Sequence, residues 1–425
     1  MHPEEQATEA APLAPTRRRA GWEALPPTFR SLRHRDFRLL WTGTTLSSMS
    51  QWLQDLSVSW LVYDITHSPT LLGAASGVRA LPLLFFSPWG GVAADRIDRR
   101  RLLLAIELWL LFPAFAMAVT ISLGLLQVWH LFAFSLAMGA AWAFENPVRQ
   151  ALISNLVPRE DIMNGVALNS TGFNISRFVG PMIAGFLIAS VGPASNFYIQ
   201  GAMYILVTLF VFQMHLPPRA GLATSTSPYQ ELMEGLRYVA RRRSIMAQLL
   251  LGLVPSLIAL PYISLMPIFA VDIYHVGAPG LGVMRSISAV GAIVGTLVLA
   301  SPEAFGRKGL ILLGLVAFLG VTLALFALSP TYPVALAVLV LCGAAQTTQR
   351  NTNMALLQIS ADDAYRGRVM SIFLTQQGFL FLGTFLAGFA ADFVDVRHVV
   401  LVMGLSTIGL VFVAAWLFPE LRRLD

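Results

Sequence analysis

Apolar residues along this chain come in long unbroken runs, separated by short links that hold most of the charge. Leu71–Trp89 carries one charge, Arg79, and Leu102–Leu126 carries only Glu107. A helix needs about 20 predominantly apolar residues to cross a hydrocarbon core, so each run is long enough to span a bilayer. The link between them, GGVAADRIDRRR over Gly90–Arg101, is too short for a domain, which makes the two helices neighbours. Its arginines and aspartates cannot lie in lipid and mark a tight turn on a basic side. The same pattern predicts spans at 37–63, 70–92, 102–124, 128–148, 166–190 and 195–216, then at 246–272, 279–301, 309–329, 332–353, 368–391 and 397–418. The expected fold is an all-α membrane protein of about twelve transmembrane helices.

The longest link, 217–245, opens on Pro217-Pro218 and then reads YQELMEGLRYVARRR, with Leu232, Leu236 and Val239 at helical spacing. It predicts an amphipathic helix lying at the headgroup boundary. The expected organisation is therefore a disordered tail at 1–30, a six-helix bundle at 31–216, the linker at 217–245 and a second six-helix bundle at 246–425. The halves echo each other. Gly139-Ala140-Ala141 returns as Gly343-Ala344-Ala345, and Ala151-Leu152 as Ala355-Leu356, both at an offset of 204. Gly180…Gly185 returns as Gly383…Gly388 at an offset of 203, and Asp95…Arg99-Arg100 has a worn copy in Glu303…Arg307-Lys308 at 208. Parallel six-helix repeats are a transporter construction, with substrate bound between them near the midplane.

Composition agrees: 56% of residues are hydrophobic, 12% are charged, and the mean hydropathy is +0.66. A soluble domain has about a quarter charged residues. The net charge of +6 does not point to nucleic acid, because the basic residues recur between apolar runs and form no continuous patch. They act as orientation signals. Of 29 basic residues, 24 gather on one side, Arg397 stands alone on the other, and Arg79, Arg177, Arg285 and Arg350 fall within spans or at their rims. Both termini are thereby expected in the cytoplasm, with the protein in a bacterial inner (plasma) membrane. The N-terminal stretch lacks the layout of a cleaved signal peptide. Cys342 is the only cysteine, so no intrachain disulfide, metal cluster or cofactor is expected.

Polar residues inside the spans are the candidates for function, because an ionisable group in a membrane is costly unless paired, protonated or facing water. Thr44, Ser48, Gln51, Asp55 and Ser59 share one face of the first span. Asp55 lies at the same depth as Arg79 in the second span, so the two can pair. That pair is either a static structural bridge or a site for substrate or proton coupling. Glu145 and Arg149 stand at i,i+4 near the inner end of span four, with Met138 and Trp142 on the same face. An intrahelical bridge at the interface competes there with a functional role. Arg177 is deeper, on a face with Ser170, Asn174 and Pro181. Arg285 is a further buried cation. Gln346, Gln349, Arg350 and Asn353 make a polar patch in span ten that lines either the cavity or an ordinary interface. Pro255, Pro261 and Pro267 predict an interrupted span seven, suited to a moving gate.

Several stretches together resemble a known family. Gly91-x3-Asp95-Arg96-x2-Arg99-Arg100 resembles the loop 2–3 signature of the major facilitator superfamily, with Asp98 where that loop usually has Gly. Gly180-Pro181-x3-Gly185 resembles its antiporter motif. Trp60-Leu61-Val62-Tyr63 with Ser68-Pro69, Asn146-Pro147-x-Arg149-Gln150 and Arg366-Gly367-Arg368-Val369-Met370-Ser371 resemble its drug-and-siderophore exporter branch, the transmembrane secretion effectors and enterobactin exporters. The resemblance covers about residues 31–418. It implies that Asp95 latches the halves through basic groups and a helix N-terminus, and that the Gly180–Gly185 face seals the cytoplasmic half of the cavity.

The expected function is secondary transport: export of a small amphipathic compound such as a drug or siderophore, coupled to proton entry. The excess of buried arginines favours an anionic or catechol-like substrate. The expected partners are that substrate, protons and the bilayer, and the chain is expected to act as a monomer. A nucleotide-driven pump is excluded in this chain, because a P-loop needs Lys before Ser or Thr and the only lysine, Lys308, precedes Gly309. No hydrolase or metalloprotease signature is present, so an enzyme is not expected. An importer or lipid-handling transporter of the same fold and a non-transporting membrane partner stay open.

Overall fold

The computed structural model describes residues 26–215, 228–298 and 308–423. Six helices form the first half: α1 Arg35–Thr66, α2 Pro69–Arg96, α3 Arg99–Ser122, α4 Val128–Leu156, α5 Ile162–Ser190 and α6 Ala194–Gln213. A connecting helix, α7 Pro228–Arg241, follows. The seventh span is broken: α8 Arg243–Val254, a π turn at Pro255–Ala259, α9 Tyr262–Ile268, and a second π turn at Phe269–Ile273. Pro255 opens the first π turn, Pro261 precedes α9 and Pro267 lies inside it, so prolines that cannot donate backbone bonds account for the breaks. Then come α10 Gly277–Val298, α11 Lys308–Ala327, α12 Tyr332–Ser360, α13 Arg366–Thr375 running through a 3-10 turn into α14 Leu380–Ala391, and α15 Val396–Leu417. The twelve spans lie where the apolar runs place them. Phe112, Phe212, Phe412 and Trp416 are 64% or more exposed, which suits lipid rather than water.

Local chemistry sets the ends. The turn between α2 and α3 is only Ile97-Asp98, and the Asp98 carboxylate accepts from the Arg101 N–H at 2.9 Å. Aspartate where the family has glycine is therefore an N-cap, satisfying one of the unpaired donors of a helix start. At the other end of the bundle Gly124 and Gly192 adopt φ of +69° and +99°, which glycine takes without a Cβ penalty.

One expectation needs correction. The tail does not extend through residue 30: Pro27–Arg33 is a 3-10 helix, tied down because Arg30 pairs with Asp161 and Ser31 Oγ donates to the Asp161 carbonyl at 3.0 Å. Residues 1–25 lie outside the described residues. In the linker helix, Val239 is buried but Leu236 is 42% exposed, while the side chain of Leu232 lies outside the described residues. This helix meets the start of α13, with Tyr238 stacked on Tyr365 at 4.3 Å, Arg368 Nη2 2.9 Å from Glu234, and Val239 packed with Val369 and Phe373.

Among the described residues the halves meet mainly toward the arginine-poor end. A Cβ on Gly185 would lie 2.4 Å from the Ala278 carbonyl, and one on Gly282 would lie 2.6 Å from that of Pro181, so α5 and α10 touch backbone to backbone. Gly73 and Gly388 play the same part between α2 and α14, against Thr384 and Pro69. Small residues permit this close approach. Tyr63 donates to Asp272 and Thr70 to Asp392 across the same end.

Candidate functional site

Asp55 stands about 16 Å from the C-terminal end of α1, taking 1.5 Å per residue. Its two oxygens go to different halves of the molecule. Oδ1 accepts from Arg79 Nη1 on α2, and Oδ2 accepts from Arg285 Nη1 on α10. Arg285 also donates from Nη2 to Ser59 Oγ at 3.1 Å and to the Ile263 carbonyl at 3.4 Å. The Arg79 guanidinium lies over the Trp142 ring, 5.1 Å from its centroid, a cation–π contact that helps to hold it off lipid. Side-chain exposure falls from 29% at Arg79 and 23% at Asp55 to 6% at Arg285. The carboxylate thus opens into a small pocket of mixed polar and apolar lining, with Gln54, Ser59, Ser76 and Ser135 beside Val58 and Ala75. Two guanidiniums on one carboxylate leave this cluster net positive. Matching depths pointed to Arg79; the second cation, from the other half, was not anticipated.

A second cluster sits nearer the arginine-rich end of the same α1 face. Arg149 Nε donates to Glu145 Oε1 at 2.7 Å, Nη1 to Thr44 Oγ1 at 2.9 Å, and Nη2 to Glu107 Oε1 on α3. Ser47 Oγ donates to Glu145 Oε1 at 2.6 Å, and Gln51 Nε2 reaches Glu145 Oε2 at 3.5 Å. Glu107, Glu145 and Arg149 are 0%, 1% and 6% exposed. The sequence reading assigned Arg149 to the basic side outside the span. The structure corrects this, because α4 continues to Leu156, about 10 Å further. The bridge is buried and reaches a third helix. Glu107 was not singled out, although a lone carboxylate in an otherwise uncharged span calls for a cation on a neighbour.

The remaining candidates are scattered around these clusters. Arg177 lies over the Trp52 ring at 5.9 Å and within electrostatic reach of Tyr262 and Arg350 from the other half. Asn174 and Gln346 are half-buried, and Arg350 is exposed. The polar patch of span ten is divided, since Asn353 turns into its own half and donates to the Gln248 carbonyl at 3.2 Å. Gly180 packs on Trp52, where a Cβ would approach at 2.7 Å, while Pro181 and Gly185 face α10. That contact closes the arginine-poor end. Arg100 does not bridge the halves: it donates to the Phe212 carbonyl in the last turn of α6, where a cation suits the helix dipole. Arg99 is half-buried at the start of α3. The side chains of Gly91, Asp95 and Arg96 lie outside the described residues. Among the described residues no group of three or more His, Cys, Asp or Glu side chains is placed to hold a metal ion.

Known proteins share this architecture. A bacterial homologue of the human lysosomal transporter Spinster, solved in an inward-facing, unoccupied conformation, matches with a TM-score of 0.70 and 15% identity over 91% of this chain and 98% of that one. A D-xylose–proton symporter matches with a TM-score of 0.69 and 15% identity over 90% and 97%. By sequence, the staphyloferrin A transporter of Staphylococcus aureus is 24% identical over 91% of this chain and 97% of its own length. Macrolide efflux protein A of Streptococcus pyogenes is 22% identical over 92% and 97%, and the enterobactin exporter of Shigella flexneri is 26% identical over 81% and 82%. The family described as transmembrane secretion effector matches residues 27–425. With its twelve-span fold and nearly full-length match, the chain belongs to the transmembrane secretion effector family, multi-pass transporters of the major facilitator fold.

Proposed function

We propose that this protein exports a small amphipathic compound, such as a drug or siderophore, from the bacterial cell in exchange for protons. It works as a monomer in the plasma membrane, with both termini cytoplasmic. The observation that carries the reading is Asp55 held between Arg79 of its own half and Arg285 of the other. With the arginine-rich end inside, the contacts between the halves close the outer end, the arrangement in which an exporter loads from the cytoplasm. To open outward, α10 must part from α5, and Arg285 leaves with it. Arg79 stays, because α2 belongs to the same half as α1. The carboxylate then loses one of its two cations, which frees it to take a proton from the outer side and frees Arg285 to exchange partners.

Before that step, an acidic group of the substrate can compete with Asp55 for the two guanidiniums. The Arg79 and Arg285 guanidiniums on one carboxylate, with Arg177 as a further cation within the spans, support an anionic or catechol-like substrate, and the siderophore and macrolide transporters among the relatives support export of this size class. The test is flux in proteoliposomes under an imposed pH gradient, with a carboxylate siderophore, a catecholate siderophore and a macrolide as probes. At least one should accumulate against its own gradient and cease to do so with a protonophore. Flux of a bound probe that ignores the pH gradient would overturn proton exchange.

A further inference from the structure

We infer that Glu107, Arg149 and Glu145 form a buried proton-binding site, separate from the Asp55 gate, that holds one proton on Glu107. Its use in transport rests on the proton-exchange reading above; the presence of the proton does not.

The argument begins with the charge count. Two carboxylates contact a single guanidinium, and all three groups are at most 6% exposed. Leu103 and Leu110, one turn to either side of Glu107, are both fully buried, and Val148 and Leu152 flank Arg149. In so apolar a setting two carboxylates sharing one cation cannot both ionise at neutral pH, just as paired carboxyls elsewhere share one proton. One bound proton makes the cluster neutral.

Hydrogen bonding decides where that proton sits. Glu145 accepts from Ser47 Oγ, Arg149 Nε and Gln51 Nε2. Glu107 accepts only from Arg149 Nη2, and its Oε2 has no partner among the described residues. Donors favour the ionised form, so Glu145 is the carboxylate and Glu107 Oε2 carries the hydrogen. The further titratable group facing the cluster is Tyr204 of α6, within electrostatic reach of both carboxyls. From α1 come the hydroxyls of Thr44 and Ser47 and the amide of Gln51. Asp55, with Arg79 of α2 and Arg285 of α10, lies one turn beyond Gln51.

The same geometry indicates a way out. The Gln51 contact is the longest in the cluster, at 3.5 Å, and Gln51 is itself half-buried, one turn from Asp55 on α1. A shift of α1 against α4 that strengthens or breaks this contact changes how firmly Glu145 is held ionised. The proton can then pass from Glu107 to Glu145 and on toward the pocket at Asp55. The Asp55 cluster has the opposite count, two cations to one carboxylate, and has no call for a bound proton in this conformation.

Infrared spectroscopy of the full chain in lipid nanodiscs tests the assignment directly. The parent protein at neutral pH should show the carbonyl stretch of a protonated, buried carboxylic acid, shifted by deuterium. Glu107→Gln and Glu145→Gln should each abolish it, because the one carboxyl left on Arg149 ionises, and Asp55→Asn should leave it in place. A heavy-carbon label on the glutamate carboxyls of the parent should move the band, which keeps the assignment testable if either variant fails to fold. No such band in the parent, a band unmoved by the glutamate label, or its survival in either folded Gln variant overturns the site. A band of this kind in a protein whose flux ignores the pH gradient supports the site and defeats the proton-exchange reading instead.

Discussion

The two charged clusters beside α1 differ in composition, in exposure and in what they join. The Asp55 cluster has an excess of cations, opens to the pocket and ties the halves together. The Glu107 cluster has an excess of carboxylates, is sealed, and lies wholly within one half. A charge pair that must break in each cycle cannot be deeply buried in one rigid body, since parting it there strands a charge. One that stores a proton is best sealed until a helix moves. The contrast teaches that similar side chains on one helix face take different tasks from the partners that neighbouring helices bring.

The sharpest way to break the comparison is to remove the cation from each cluster. Arg149→Met leaves two buried carboxyls with no counter-charge, a loss of about 3–5 kcal/mol, or rescue only by taking up a second proton. Thermal unfolding in detergent should show a large fall in Tm or loss of monodisperse protein. Arg285→Met leaves Asp55 with Arg79 and the pocket, so its Tm should fall clearly less than that of Arg149→Met while flux is lost. Equal damage from both substitutions would contradict the division.

Asp55→Asn should come next in effect. It removes charge-assisted hydrogen bonds worth about 1.5–3 kcal/mol each and sets two guanidiniums against each other across the halves. The protein should fold and bind a probe substrate, yet lose the response of flux to the pH gradient. Flux coupled like that of the parent would make Asp55 a structural residue.

Gly185→Val tests closure itself, since its Cβ would lie 2.4 Å from the Ala278 carbonyl. With Cys342 replaced by Ala, disulfide cross-linking between Thr70→Cys and Asp392→Cys should fall several-fold once Gly185 is changed. Unaltered cross-linking would show that α5 and α10 do not hold that end shut. Smallest of the four is Tyr63→Phe, which removes one hydrogen bond to the exposed Asp272 carboxylate and leaves the α5–α10 contact in place. Cross-linking in the same pair should decline modestly, and less than with Gly185→Val.

Much of this architecture is legible in the chain because run length is a strong signal. Twelve apolar stretches of bilayer length, Pro255, Pro261 and Pro267 in the seventh, and paired glycines where helices touch all act locally. What is not legible depends on which helix stands beside which. Periodicity put Asp55, Gln51 and Ser59 on one face without naming Arg285, which lies 230 residues away in sequence. It showed Glu107 as the sole charge of its span without showing that Arg149, 42 residues on, would reach it. The ordering of Pro27–Arg33 likewise depends on Asp161, a partner in the link between α4 and α5. Asp98 is an intermediate case: its departure from the family pattern was visible, and the hydrogen bond to Arg101 N–H explains it only once the helix start is seen.

The central claim is that the Asp55–Arg285 bond holds the arginine-poor end closed. Spin labels at Val191→Cys, after α5, and Phe393→Cys, after α14, sit on exposed sites in opposite halves at that end, in a Cys342→Ala background. Pulsed electron–electron resonance in nanodiscs reads the distance between them. The account predicts a distribution dominated by the short, closed distance in the Cys342→Ala parent and a clear shift to longer distance in Asp55→Asn. An identical short distance in both would contradict it.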